Sequence, residues 1–135
     1  MTRPTLNCIA PFFIVRDAAA AVGFYRDKLG FAVTHRNEEW ATDAFFAIVC
    51  RDAAMLMLKN VGADATPNFT RGDHFARWDA YIGVPDPDAL AAEFTARGVV
   101  FSVPLKDTSD GLRGFELKDA DGYVLFFGQP RENSL

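Results

Sequence analysis

The chain repeats itself, and the repeat restricts its folds more than any other feature. The stretch "FIVRDAAAAVGFYRDKLGFAV" (13–33) is similar to "IGVPDPDALAAEFTARGVVFSV" (82–103). Each reads as a strand ending in Val-x-Asp, then a helix, then Gly, then a second strand. Asp17 and Asp86 lie 69 residues apart. Both fit a helix N-cap, where a carboxylate accepts backbone N–H bonds of the first turn. Gly30 and Gly98 fit the left-handed residue that ends each helix. Within the first helix, Val22, Tyr25 and Leu29 are spaced to share one face. The same offset returns later in the chain. "RDAAMLML" (51–58) aligns with "ADGYVLFF" (120–127), placing Asp52 on Asp121 and Met57 on Phe126. Each of these is a turn followed by a hydrophobic strand. The chain is therefore two copies of one supersecondary unit.

Each copy has room for two more strands. In the first they fall at Phe31–Arg36 and Asp43–Arg51, and in the second at Val99–Val103 and Gly111–Lys118. The unit is strand–helix–strand–strand–strand, which predicts an α+β chain of duplicated βαβββ modules forming curved mixed sheets around a cavity. The modules run over about 7–59 and 78–128, within a single domain of residues 1–135. The linker between them, 60–77, is long and carries Gly and Pro; loops of that length serve as linkers or functional lids. Half of the residues are hydrophobic and thirteen are Phe. A filled core does not require so many rings, so some of them are expected to line a cavity.

Charge and cysteine usage exclude several classes of function. The net charge is −4 and no Lys/Arg cluster exists to track phosphates, so nucleic acid is not an expected partner. Cys8 and Cys50 both lie in apolar runs. Two such residues do not make a disulfide framework or a cysteine zinc site, and they read as buried free thiols in a reducing cytosol. The start, "MTRPTLNCIAPFF", has no long apolar segment followed by a cleavage pattern. No run approaches the length that spans a membrane. The expected location is the cytoplasm.

A duplicated βαβββ unit of this size resembles the vicinal oxygen chelate superfamily, which includes glyoxalase I, extradiol dioxygenases and bleomycin-resistance proteins. The pieces that carry the resemblance are "APFFIVRDAAAAVGFYRDKLGF" (10–31) and "GFELKDADGYVLFFG" (114–128). They are most similar to the bleomycin-resistance type. Metal-dependent members place one ligand on the first and last strand of each module. The resemblance puts those four positions at Ala10, Met57, Asp79 and Phe126. Only Asp79 is a competent hard ligand, so no metal and no cofactor is implied. A relocated site would have to draw on His35 and His74 with Glu38, Glu39 or Glu116.

Asp79 is unusual on its own terms. It stands in "ARWDAYIGV" (76–84) at the head of a short apolar strand. A carboxylate there is costly without a partner or a task. Two readings stand: it reaches a backbone N–H or an arginine, or it faces a pocket and selects a cationic or hydrogen-bond-donating ligand. Side chains alternate along a strand. One face would then carry Cys8, Ala10, Phe12, Met55, Met57, Lys59, Asp79, Tyr81, Val124 and Phe126. The other would carry Phe13, Val15, Leu56, Leu58, Ile82, Val84, Leu125 and Phe127 beneath the helices. Trp40, Phe46, Phe69 and Trp78 could add to the rim, though each ring could equally be core. The ligand-binding set expected is Phe12, Phe46, Met55, Met57, Trp78, Asp79, Tyr81, Arg113 and Phe126.

The resemblance and this mostly apolar, ring-bearing face imply a metal-independent protein that sequesters a planar or cationic small molecule. They also imply a homodimer with two grooves at the subunit interface. The alternative is a lyase or isomerase of glyoxalase type, with a relocated metal or none. A metal-free version would use Asp79 as catalytic general base and Tyr81 or Arg113 as electrophile. Whether the modules pair within a chain or across a swapped dimer stays open.

Overall fold

The structure, a computed structural model, describes residues 2–37, 46–71 and 77–131. The first strand, β1 (Phe12–Ile14), leads into α1 (Ala18–Gly23). Asp17 caps that helix by accepting the Ala20 amide at 3.1 Å. After Gly23 the helix widens into a π-helical turn over Phe24–Lys28. Gly30 then takes φ +73° and turns the chain into β2 (Ala32–Asn37). The module closes with β3 (Phe46–Arg51) and β4 (Ala54–Lys59). A 3-10 turn, Asn68–Arg71, lies in the connection to β5 (Ala80–Gly83). In the second half, Asp86 caps α2 (Pro87–Ala96) through the Ala89 amide, and Pro87 sits in the first turn, where its missing N–H costs nothing. The strands β6 (Phe101–Asp107), β7 (Leu112–Lys118) and β8 (Val124–Pro130) complete it.

The strands form two four-stranded mixed sheets, β1-β4-β3-β2 and β5-β8-β7-β6. Their registers repeat with the offset of the sequence. Phe12 pairs with Met57 in the first sheet, and Tyr81 pairs with Phe126 in the second, each residue 69 positions after its counterpart. Val15 donates to Lys59 O, and Val84 donates to Gly128 O, both at 2.9 Å. The two halves are thus the same unit down to single hydrogen bonds.

Two local expectations are corrected. The first strand was expected to carry Cys8 and Ala10 on the pocket face, yet it begins only at Phe12, and residues 2–9 are exposed. Pro11 has no N–H to give the ladder, although its carbonyl still accepts the Met57 amide at 2.9 Å. Cys8 is therefore exposed and Cys50 half-buried, where buried thiols were expected. The spacing of Val22, Tyr25 and Leu29 predicts a first helix that reaches Leu29. Its α-helical part ends at Gly23, and the wider turn that follows still buries Tyr25 and Leu29.

Both sheets share one core. The first supplies Phe13, Val15, Val49, Leu56 and Leu58; the second supplies Phe115, Leu117, Leu125 and Phe127. Val22, Tyr25 and Phe94 come from the helical segments. Across the seam, Phe13 stacks on Tyr123 with ring centroids 4.1 Å apart. Each large side chain buried here is worth roughly 1.5–3 kcal/mol, and a hydrogen bond about 0.5–1.5 kcal/mol. Apolar contact therefore dominates the stability of the seam, and polar bonds set its alignment. Tyr25 donates to Asp119 Oδ2 at 2.6 Å, Tyr123 donates to Ile14 O at 2.7 Å, and Arg51 holds Glu93 at 2.7 and 2.8 Å. Burial pushes the Asp119 carboxyl up to about 6, even though it accepts from Tyr25 and from the Asp121 and Tyr123 amides. Arg51 has the opposite effect on Glu93, holding its carboxyl down at about 2. One face of each sheet enters this common core; on the other face Phe12 and Tyr81 are exposed, while Glu116, Val124 and Phe126 are buried. Among the described residues no helix is long and apolar enough to cross a membrane.

Candidate functional site

The open face of the first sheet follows from strand alternation. Leu56 and Leu58 point into the core, and Met55, Met57 and Lys59 point the other way, half-buried. Phe12, Met57's partner on β1, is 52% exposed, a large value for a ring. It stacks loosely on Phe46 of β3, with centroids 6.0 Å apart. Phe12, Phe46, Met55 and Met57 are thus brought onto one face of the sheet.

The second sheet presents a stack of three rings. Trp78 lies on Phe126 at 4.2 Å with 19° between the planes. Tyr81 flanks Phe126 at 5.7 Å and remains 45% exposed. The stack needs the glycine pair Gly114 and Gly128, which face each other across β7 and β8. A Cβ on Gly114 would lie 2.6 Å from Phe126 Cζ, and one on Gly128 would lie 2.7 Å from Cε1. Phe126 therefore lies flat over bare backbone, with Trp78 above it.

Beside this stack lies Glu116, a residue absent from the ligand-binding set expected from the sequence. Glu116 pairs with Phe126 across β7 and β8, and it is only 2% exposed. Arg77 donates from Nε to its Oε1 at 2.6 Å. The signal was present in "GFELK", where a charge sits between Phe115 and Leu117 and so takes the face opposite the core.

Asp79 does something other than select a ligand. Its Oδ1 accepts the Asn68 amide and its Oδ2 accepts the Val124 amide, both at 2.8 Å. Its own amide donates to Val124 O, also at 2.8 Å. Asn68 Nδ2 closes the arrangement by donating to Trp78 O. Both carboxylate oxygens are committed to backbone, so Asp79 ties the connection between the modules to the start of β8. This corrects the pocket and general-base reading; the carboxylate has a partner rather than a chemical task.

Arg113 is likewise corrected. It shares a strand face with Phe115 and Leu117 and so turns toward α2. There Nε and Nη2 grip the Asp88 carboxylate at 2.8 Å each, and Nη1 reaches Asp107 at 3.1 Å. The Arg113 guanidinium pulls the Asp88 carboxyl below its ordinary value. Phe69 is exposed, with the Lys118 ammonium 4.7 Å above its ring. Trp40, Glu38, Glu39 and His74 lie outside the described residues, as does the side chain of His35.

The four positions that the resemblance assigns to metal ligands do not fit one here. Met57 and Phe126 offer no hard donor, Ala10 offers none at all, and Asp79 is occupied by amides. Among the described residues, no three His, Cys, Asp or Glu side chains gather as a metal requires.

Enclosed space within one chain lies mainly at the seam. Two adjoining apolar hollows of about 270 and 400 Å³ share Phe31, Ala54 and Ile82; Met55 and Tyr81 meet in the first. A third, of about 260 Å³, is bounded by Phe12, Asn68, Asp79 and Tyr123. On the ring-bearing faces Phe12 and Tyr81 are exposed, and Phe126 is covered.

The family model for Glyoxalase, described as the Glyoxalase/Bleomycin resistance protein/Dioxygenase superfamily, matches residues 5–127. Comparison with curated proteins finds no match. Several solved structures share the architecture. One is the bleomycin-binding protein from bleomycin-producing Streptomyces verticillus, complexed with copper(II)-bleomycin. It superposes with a TM-score of 0.67 at 25% identity, covering 96% of this chain and 100% of that one. TioX from Micromonospora sp. ML1 gives 0.68 at 21% identity, covering 92% and 98%. TnmS3, an antibiotic binding protein from Streptomyces sp. CB03234, gives 0.65 at 20% identity, covering 97% and 99%. The common fold is the α+β arrangement of curved mixed sheets.

Proposed function

Since the chain belongs to the Glyoxalase/Bleomycin resistance protein/Dioxygenase superfamily, we propose that it is a metal-independent binding protein. It sequesters a planar or cationic small molecule, in the manner of an antibiotic-resistance protein. One observation carries this reading. The face on which relatives place metal ligands presents Phe12, Phe46, Met55, Met57, Trp78, Tyr81 and Phe126 instead. Rings and thioethers suit a flat ligand, and ring faces attract cations. A bleomycin-binding protein and an antibiotic binding protein among the similar structures support it.

The chain acts as one domain of two modules, about 7–59 and 78–128, joined by 60–77. The two open faces cannot form a cup together, because the opposite faces of both sheets are spent on one core. A second copy supplies the missing wall, so the working unit is a homodimer with two grooves. Two unpaired thiols suit the cytoplasm.

The alternative, a glyoxalase-like lyase or isomerase, needs a general base or a metal to stabilise an enediolate. Asp79 is held by two amides and Arg113 faces α2, which leaves that chemistry without its named base and with Tyr81 alone of its named electrophiles. The deciding experiment has two arms. Thermal shift against a panel of flat and cationic compounds should find a ligand, since one at 100 times its dissociation constant stabilises by about 2.7 kcal/mol. Metal analysis, followed by assay with Zn, Ni, Mn and Fe on a glyoxalase substrate, should show neither stoichiometric metal nor turnover. Turnover with bound metal overturns the proposal.

A further inference from the structure

We propose that Glu116 is the charge-selecting residue of the ring-lined groove and that Arg77 is its exchangeable counter-ion. The ligand is then an organic cation with N–H donors on a flat ring system. This inference rests on the open face being a ligand groove.

The argument begins with burial. Glu116 is 2% exposed, yet it lies on the groove side of β7, across from Phe126. A charge so placed is strongly unfavourable without a cation beside it. Arg77 is that cation, but it grips with one N–H only, Nε to Oε1. Single-bonded contacts also occur at the surface, as between Arg97 and Glu93, but the best-made arginine–carboxylate contacts of the fold are full forks. Arg51 meets Glu93 with two bonds, and so does Arg113 with Asp88. An ionised carboxylate offers about four lone-pair sites. Among the described residues no donor reaches Glu116 Oε2.

Arg77 is also the partner easiest to move. Its side chain is 44% exposed while that of Glu116 is 3% exposed. Residues 77 and 78 belong to no strand or helix, so no ladder hydrogen bond holds Arg77 in place. A ligand cation that replaces Arg77 leaves the carboxylate paired throughout, and the released guanidinium regains water. The rings favour the same ligand. Trp78, Phe126 and Tyr81 form a stack beside the carboxylate, with Trp78 and Phe126 4.2 Å apart. Ring faces attract cations and accept flat molecules. Charge and shape thus select one chemistry, and an anion of the same shape is repelled.

The test uses two flat probes of opposite charge. Proflavine is a ring cation with N–H donors; 1-anilinonaphthalene-8-sulfonate is an anion. Binding is measured by fluorescence with the full chain and with Glu116→Gln and Arg77→Ala. Glu116→Gln should weaken proflavine by about tenfold or more, as loss of a hydrogen bond to a charged group does, and leave the anion unchanged or tighter. Arg77→Ala should tighten proflavine, because a competitor is gone. A purely structural ion pair gives the opposite pattern, with both variants weakening both probes alike, and that result overturns the inference while leaving the groove standing. If neither probe binds the parent protein, the groove reading itself fails and the inference with it. Circular dichroism follows folding; should Glu116→Gln not fold, the sign of the Arg77→Ala effect decides alone.

Discussion

The Asp79 carboxylate accepts the amide hydrogen of Val124 at 2.8 Å, and this bond fixes where the last strand of the second sheet begins. Its other oxygen fixes the Asn68 amide in the same way. Asp79→Asn keeps one acceptor and turns an NH₂ group against the other N–H. Stability should therefore fall by about 1–3 kcal/mol with no ligand present, the cost of an unsatisfied buried donor. Urea unfolding checks this; equal or greater stability would contradict the anchoring role.

Asp119 gives a pH dependence with a definite sign. Its folded value is pushed up to about 6 by burial, against roughly 3.9 when unfolded. Between these values the folded state holds a proton that the unfolded state lacks. The contribution is fully present below the unfolded value and is lost as pH rises through 6. Going from pH 5 to pH 7 should cost about 1 kcal/mol from this group. Glu93, held at about 2, titrates below that window and does not interfere. Asp119→Asn should flatten the slope in thermal melts across the range, and an unchanged slope would refute the assignment.

The glycine pair under Phe126 should tolerate no side chain. Gly114→Ala places a methyl 2.6 Å from the Phe126 ring and 2.8 Å from the Gly128 backbone, which has no room to yield. The expected loss is about 1–3 kcal/mol, typical of overpacking. Gly83, on the neighbouring strand, has nothing within 4 Å of its would-be Cβ. Gly83→Ala should stay within about 0.5 kcal/mol of the parent. Comparable losses in both variants would contradict the packing described for the ring stack.

Phe12 tests the proposed dimer. If a second copy covers this face of the first sheet, Phe12→Asp would bury a charge there. Sedimentation equilibrium should then show a monomer where the parent is a dimer, with circular dichroism showing the variant still folded and its melting temperature lowered by loss of the partner. A dimer that survives the substitution would place the interface elsewhere.

Much of this fold was legible because its punctuation is local. Asp17 and Asp86 cap the turns that follow them, and Gly30 and Gly98 turn the chain within a few residues of each helix. Alternation also separated Leu56 and Leu58 from Met55 and Met57. What escaped was set by partners far along the chain. Nothing near Asp79 announces that Asn68 and Val124 will occupy it, and an arginine as close as Arg77 was no guide to its true partners. Arg113 could have been placed correctly, since it has the parity of Phe115 and Leu117. Glu116 shows the same rule from the other side: its parity put it on the face of Phe126, but its pairing depends on Arg77, a residue 39 positions away.

The shared core has a consequence for how the molecule comes apart. Phe13 leans on Tyr123, and Tyr25 reaches Asp119, so each half completes the interior of the other. Neither half has a separate interior to melt. Despite its duplicated build, the chain should therefore unfold as one cooperative unit and give a single calorimetric peak. A fragment holding one repeat alone would expose about half of an interior and remain a partly folded, aggregation-prone segment until its other half arrives.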